Sequence, residues 1–181
     1  ACAEAGAEVM LVAGPVSLKT NHSSIDRIDV ESAEEMYRAV LSEYDRSDIA
    51  IMCAAVADYA PETVSDVKLK RTGEDRILRL RPNPDIAAEL GRRKRPGQCL
   101  VGFALETNDE EMNARLKMEK KNLDFIVLNS LRDAGAGFQC DTNKVTVIGK
   151  QGEPVEIPCK PKIAVAADIV DIIGRYVSED R

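Results

Sequence analysis

The feature that most restricts this chain is an unalternated apolar run, IAIMCAAV at residues 49–56, followed at once by Ala57 and Asp58. Apolar residues on both faces of a short segment bounded by polar residues read as a strand covered on both sides, an inner strand of a parallel sheet. Ligands of open α/β sheets gather at the carboxyl ends of such strands. There Cys53, Ala54 and Ala55 add little bulk, so a flat base or sugar could approach the backbone, and Asp58 supplies the first charge. The same alanines would also suit packing beneath a helix.

After Asp58, residues 59–75 show neither strand nor helix periodicity, a length of irregular chain that in an ordered domain usually forms a lid or binding loop. Lys68, Lys70 and Arg71 are its candidate anion clamps, with a solvated charged loop as the plainer alternative.

Two more runs repeat the buried-strand pattern, CLVGFA at residues 99–104 and FIVLN at 125–129. Shorter strands are expected at residues 9–12, 27–30 and 77–80. Between them lie helix patterns. Ser32 and Glu35 form a capping box ahead of an amphipathic helix to about Tyr44, with Met36, Ala39, Val40 and Tyr44 inward. Asn83, Pro84, Asp85 and Ile86 open a second helix, Asn83 as cap and Pro84 in the first position, and such an end offers backbone N–H groups to an anion. A third is capped by Asn108 or Asp109, with a stripe of Met112, Leu116 and Leu123 expected to be buried. Lys117 and Lys121 share one face of it. That spacing costs a few tenths of a kcal/mol unless an anion lies between them. Residues 144–148 and 155–158 read as a hairpin about Gln151 and Gly152, after a glycine-rich loop at 135–143, and residues 163–177 as a closing helix.

Strands alternating with helices predict an α/β fold, a Rossmann-like, doubly wound, mostly parallel sheet with a C-terminal antiparallel hairpin. At 181 residues a single domain spanning 1–181 is expected. The chain opens without Met, on what reads as the last turn of a helix ended by Gly6. An N-terminally truncated domain is therefore expected, one lacking the central first strand of its sheet.

A formal net charge of −6 argues against nucleic acid or anionic membranes as partners. Cys2, Cys53, Cys99, Cys140 and Cys159 are odd in number and widely spaced, and His22 is the single histidine, expected to be exposed. That fits reduced, cytoplasmic thiols and no zinc site. No G-x-G-x-x-G follows a strand and no P-loop is present, which weakens a nicotinamide dehydrogenase and a P-loop hydrolase.

Taken in order, LVAGPVSL (residues 11–18), AAVADY (54–59), KLK (68–70), NPDI (83–86), GFALET (102–107), the helix lysines and GFQCDTN (137–143) resemble phosphopantothenoylcysteine synthetase, a ligase of coenzyme A biosynthesis. The resemblance implies that 4′-phosphopantothenate is activated by CTP, or ATP, to an acyl-nucleotidylate, which the amine of L-cysteine then attacks. It implies Mg²⁺ as cofactor, with no metal ligand assigned, and a homodimer, in some bacteria fused to a flavin-dependent decarboxylase. Ala54, Asp58, Asn83, Pro84, Asp85, Ile86 and Phe103 would form the nucleotide pocket, joined by Cys53 from the strand end. Lys117 and Lys121 would meet the phosphates, and Lys68 would act in catalysis from a mobile flap. The family's glycine-rich loop and the Asn/Ser-rich segment that follows it have no counterpart here. Asn21 to Ser24 follow the GPVSL segment where the family's stretch precedes it. A nicotinamide-dependent oxidoreductase and a nonenzymatic nucleotide-binding module on the same fold are the competing readings.

Overall fold

The computed structural model describes residues 1–71, 73, 75–106, 109–130 and 141–179. Residues 1–6 close in a turn whose Ala7 N–H reaches Cys2 O (3.1 Å) and whose Gly6 N–H reaches Ala3 O (3.0 Å). That is the bond pattern of a helix end, and it requires the positive φ of Gly6, +88°.

The chain then forms β1 (Val9–Ala13) and β2 (Ile25–Asp29), which pair in parallel. The loop between them is held by Arg27, whose guanidinium donates to Leu18 O (2.7 Å). His22 is half-exposed and serves the same loop, its Nδ1 accepting the Ser24 N–H (3.1 Å). Helix α1 (Ala33–Tyr44) starts on the expected capping box, Ser32 accepting the Glu35 N–H while Glu35 accepts the Ser32 N–H. It buries Met36 and Tyr44 and leads into β3 (Ile49–Met52).

An arm follows, β4 (Tyr59–Pro61) pairing antiparallel with β5 (Leu80–Pro82). Then come α2 (Ile86–Arg93), β6 (Cys99–Glu106), α3 (Glu110–Lys120), β7 (Phe125–Ser130), the antiparallel pair β8 (Thr142–Gly149) and β9 (Val155–Pro161), and α4 (Lys162–Glu179). The main sheet has the order β3-β6-β7-β8-β9, its first three strands parallel and its last two antiparallel. This is the expected mostly parallel α/β sheet with a closing hairpin.

One apolar layer, built on Met36, Tyr44, Ile86, Leu90, Leu100, Met118, Leu123, Ile126 and Ile148, lies under α1, α2 and α3. The other, with Val101, Val127, Val147, Val165, Ile169 and Ile173, lies under α4. Val12 and Ile28 of the small ladder pack on the same layer as Ala50 and Met52 of β3, yet β1 and β3 are not hydrogen-bonded to each other. Two parallel ladders thus share one core without a strand pairing between them among the described residues.

Several expectations are corrected. Among the described residues the run from Ile49 is an edge strand, paired only with β6 and ending at Met52, whereas the strands covered on both faces are β6 and β7. The residues after Met52 carry too little apolar bulk to stay under a helix, and Cys53, Ala54 and Ala55 are exposed. Residues 59–75 are not wholly irregular, since Tyr59–Pro61 is half of the arm's base, and its partner begins at Leu80, not at residue 77. On α3, Met112 and Leu116 are 58% and 56% exposed, while Ala114, Met118 and Leu123 are buried. The face of α3 turned to the core is the one that carries Ala114 and Met118. Asp109 stands at the N-cap, with a left-handed backbone (φ 44°) and no side-chain cap bond.

Buried polar groups sit at the opposite end of the sheet. Asp124, at the start of β7, accepts the Leu100 N–H (2.7 Å) and both lysines that approach it, Lys94 (2.7 Å) and Lys150 (3.2 Å). Among the described residues, no helix is long and apolar enough to cross a membrane.

Candidate functional site

Parallel pairing brings the carboxyl ends of β3, β6 and β7 to one edge of the main sheet, the edge at which α/β proteins hold ligands. Cys53 and Ala54 stand just past β3, both exposed, and the exposed Asp58 follows a further turn on. The tie between this loop and α2 is made by Asn83. Its backbone N–H donates to Asp58 O (2.8 Å) and its side-chain amide donates to Ala57 O (2.8 Å).

Asn83 is therefore not the cap of α2, as the sequence pattern suggests. The N-cap is Asp85, whose carboxylate accepts the Ala88 N–H (3.0 Å). Asn83 is drawn off by the β3 loop, and Pro84 lies between the two, outside the helix. Ile86 begins α2 with its side chain buried in the core, so only its backbone can face a ligand.

Glycine permits the next contact. A Cβ on Gly91 would lie 1.9 Å from Lys121 O, so α2 and the end of α3 approach to a distance that admits no side chain at that position. This brings Lys121 to Asp85 (3.0 Å). Burial pushes the Asp85 carboxyl up, but the Ala88 N–H and the Lys121 ammonium outweigh it and hold it below its usual range. One turn back on α3, Lys117 pairs with Glu106 at the end of β6. Gly102 in β6 makes room for Leu123, whose Cδ1 would be 2.6 Å from an added Cβ. The next residue, Phe103, is half-buried against the α4 layer.

The β3 loop, the α2 start and Lys121 are thus linked through Asn83 and Asp85, while Lys117 is tied to the end of β6 through Glu106. Lys68 is exposed in the arm, as are Lys70 and Arg71, and among the described residues no contact joins Lys68 to that group. The glycine-rich segment falls mostly outside the described residues. Its Asn143 lies in β8, donating to Asn129 Oδ1 (2.8 Å). Glu106 was not singled out by sequence reasoning. The available signal was its position, the first charged residue after a wholly apolar strand run. Among the described residues no group of three or more His, Cys, Asp or Glu side chains gathers as a metal cage.

The family model described as the DNA/pantothenate metabolism flavoprotein C-terminal domain matches residues 1–176. The coenzyme A biosynthesis bifunctional protein CoaBC of Bacillus subtilis (strain 168) is 47% identical over 174 residues, which are 96% of this chain and 43% of that protein. A protein of an unknown prokaryotic organism, named cysteine/cysteine sulfinic acid decarboxylase, is 52% identical over 170 residues, 94% of this chain and 47% of its own length. The chain spans less than half the length of these curated relatives. The crystal structure of the C-terminal domain of a CoaBC protein superposes with a TM-score of 0.81 at 35% identity, covering 98% of this chain and 79% of that one. With this match over nearly its whole length, the chain belongs to the family of DNA/pantothenate metabolism flavoprotein C-terminal domains.

Proposed function

We propose that the chain carries the ligase step of coenzyme A biosynthesis, joining 4′-phosphopantothenate to L-cysteine through an acyl-nucleotidylate made with CTP in preference to ATP. The observation that carries this reading is the linkage of Asp58, Asn83, Asp85 and Lys121 at one sheet edge, together with the coenzyme A biosynthesis role in the name of the Bacillus subtilis relative. The substrate carboxylate attacks the α-phosphorus and the bond to pyrophosphate breaks. The cysteine amine then attacks the activated carbonyl, the bond to the nucleoside monophosphate breaks, and the amine loses its proton.

This chemistry needs positioned cations and N–H donors about charge that spreads onto phosphate oxygens. Lys117, Lys121 and the first turn of α2 supply them. The small residues Cys53 and Ala54, with Asp58, Asn83, Pro84 and the open side of Phe103, receive the nucleoside. Lys68 acts in catalysis by closing with the arm over the phosphates, which excludes water from the acyl-nucleotidylate. Mg²⁺ fits as an ion carried in on the triphosphate and held chiefly by phosphate oxygens, in keeping with its preference for few protein ligands.

The arm also exposes Val64, Val67, Leu69, Ile77, Leu78 and Leu80, an apolar surface that supports a homodimer with the arm at its interface. We infer a cytoplasmic location, which suits Cys2, Cys53, Cys99 and Cys159, none of them in a disulfide among the described residues. The greater length of the relatives is compatible with a fused flavin-dependent decarboxylase.

The test is pyrophosphate release with 4′-phosphopantothenate and L-cysteine, compared for CTP and ATP and for Lys68→Gln. CTP-dependent release is expected, with Lys68→Gln lowering turnover more than nucleotide affinity. Binding of CTP with no release under any substrate combination would favour a nonenzymatic nucleotide-binding module.

A further inference from the structure

The two lysines assigned to phosphate are already engaged. Lys117 is held by Glu106 from the end of β6, and Lys121 by Asp85 from the N-cap of α2 (3.0 Å), so each carboxylate reaches in from a different element. Two lysines against two carboxylates leave these four groups with no net charge. A phosphate arriving here cannot simply add to free cations. It has to take the lysines from their present partners.

Resting on the reading of Lys117 and Lys121 as phosphate ligands, we propose that Glu106 and Asp85 are resident counter-ions of the phosphate site. A di- or triphosphate displaces them from both lysines, and they recapture the lysines as pyrophosphate departs. Residues four apart on a helix are separated by about 6 Å along its axis, a span for a chain of phosphates and not for a single one. A lone phosphate displaces one carboxylate and leaves the other pair intact, so the arrangement selects polyphosphate over monophosphate.

The two carboxylates are not equivalent. When Asp85 releases Lys121 it still accepts the Ala88 N–H as helix cap. Glu106, with a side chain only 14% exposed, stays beside the incoming polyanion with little access to water. Its repulsion weakens the bound polyphosphate and favours product release, which makes Glu106 the stronger determinant.

The test is calorimetric titration of the protein with inorganic pyrophosphate and, separately, inorganic phosphate, for wild type, Glu106→Gln, Asp85→Asn and Lys117→Ala. Gln preserves the shape of Glu, and Asn is as good an N-cap as Asp, so both variants keep the fold. Glu106→Gln is expected to bind pyrophosphate about fivefold tighter, the equivalent of one partly exposed ion pair, with orthophosphate changed less and turnover more strongly inhibited by pyrophosphate. Asp85→Asn should change in the same direction by a smaller factor, and Lys117→Ala should weaken pyrophosphate binding. Equal or weaker pyrophosphate binding by Glu106→Gln, with Lys117→Ala still defective, would overturn the counter-ion role and leave the lysine assignment standing. Unchanged binding in Lys117→Ala would overturn the lysine assignment itself, and this proposal with it.

Discussion

Gly91→Ala is expected to be among the most damaging single-methyl changes in the molecule. An ideal Cβ at that position lies 1.9 Å from Lys121 O and 2.8 Å from Lys121 C, both backbone atoms with no rotamer to turn away. A carbon and an oxygen that are not bonded need well over an ångström more, so α2 and the end of α3 must separate. The Asn122 side chain, which donates to Gly91 O (2.9 Å), resists that movement. Overpacking of this kind costs about 3 kcal/mol, the upper part of the usual range. In a domain of this length such a loss lowers the thermal midpoint by about 6–12 °C. Gly174 is the control. It also lies in a helix, α4, but has nothing within 4 Å of an added Cβ, so Gly174→Ala should gain up to about 1 kcal/mol from helix propensity alone. Thermal unfolding followed by circular dichroism measures both. A midpoint for Gly91→Ala within about 2 °C of wild type would refute the claim that this contact sets the spacing of α2 and α3. So would a Gly174→Ala variant that falls as far.

Tyr44→Phe removes a hydroxyl that is buried with no hydrogen-bond partner among the described residues, so it should leave stability at neutral pH unchanged or raise it by up to about 1 kcal/mol in chemical denaturation. Burial, reinforced by Asp124, pushes the Tyr44 hydroxyl up to about 12. The unfolded chain then loses that proton first, so stability should fall as pH rises from about 10 towards 12 in the wild type, and Tyr44→Phe should flatten that part of the curve. Lys94→Met takes the ammonium from the buried Asp124 carboxylate and should cost about 3 kcal/mol in urea unfolding; a loss below 1 kcal/mol would show that Lys150 alone suffices as its partner.

The sequence made the strands and helices of the main sheet legible because their runs are long and their periods clean. CLVGFA and FIVLN are the core strands, and the Ser32 capping box starts α1 where the pattern places it. Misreadings arose where a local signal competes with a distant one. Asn83-Pro84 is a good local helix start, but a neighbour 26 residues away claims the Asn83 amide and passes the cap to Asp85. Met112 and Leu116 have the spacing of a buried stripe, but periodicity fixes only that they share a face, not which face meets the sheet. In IAIMCAAV the apolar run correctly marks a strand, yet its place at the edge depends on what pairs beside it. For the candidate site, the spacing of Lys117 and Lys121 was visible in the chain. Their engagement by Glu106 and Asp85 was not, because Asp85 lies 36 residues from Lys121 and Glu106 sits on a different element from Lys117, 11 residues away.

The separation of the β1–β2 ladder from the main sheet bears on how the molecule comes apart. Backbone ladders transmit cooperativity directly, whereas among the described residues the β1–β2 pair has no strand pairing with the five-stranded sheet and packs on its core through side chains such as Val12 and Ile28. A ladder of two strands is marginal by itself, so β1 and β2 should open well before β6 and β7 and exchange their amide protons by local opening. The amides of Leu100 and Val127 should instead be protected to the limit of global unfolding. Among the described residues β1 pairs with β2 alone and β3 with β6 alone, so each strand has an edge open to an extended segment. A strand that paired with both ladders would merge two units of stability into one.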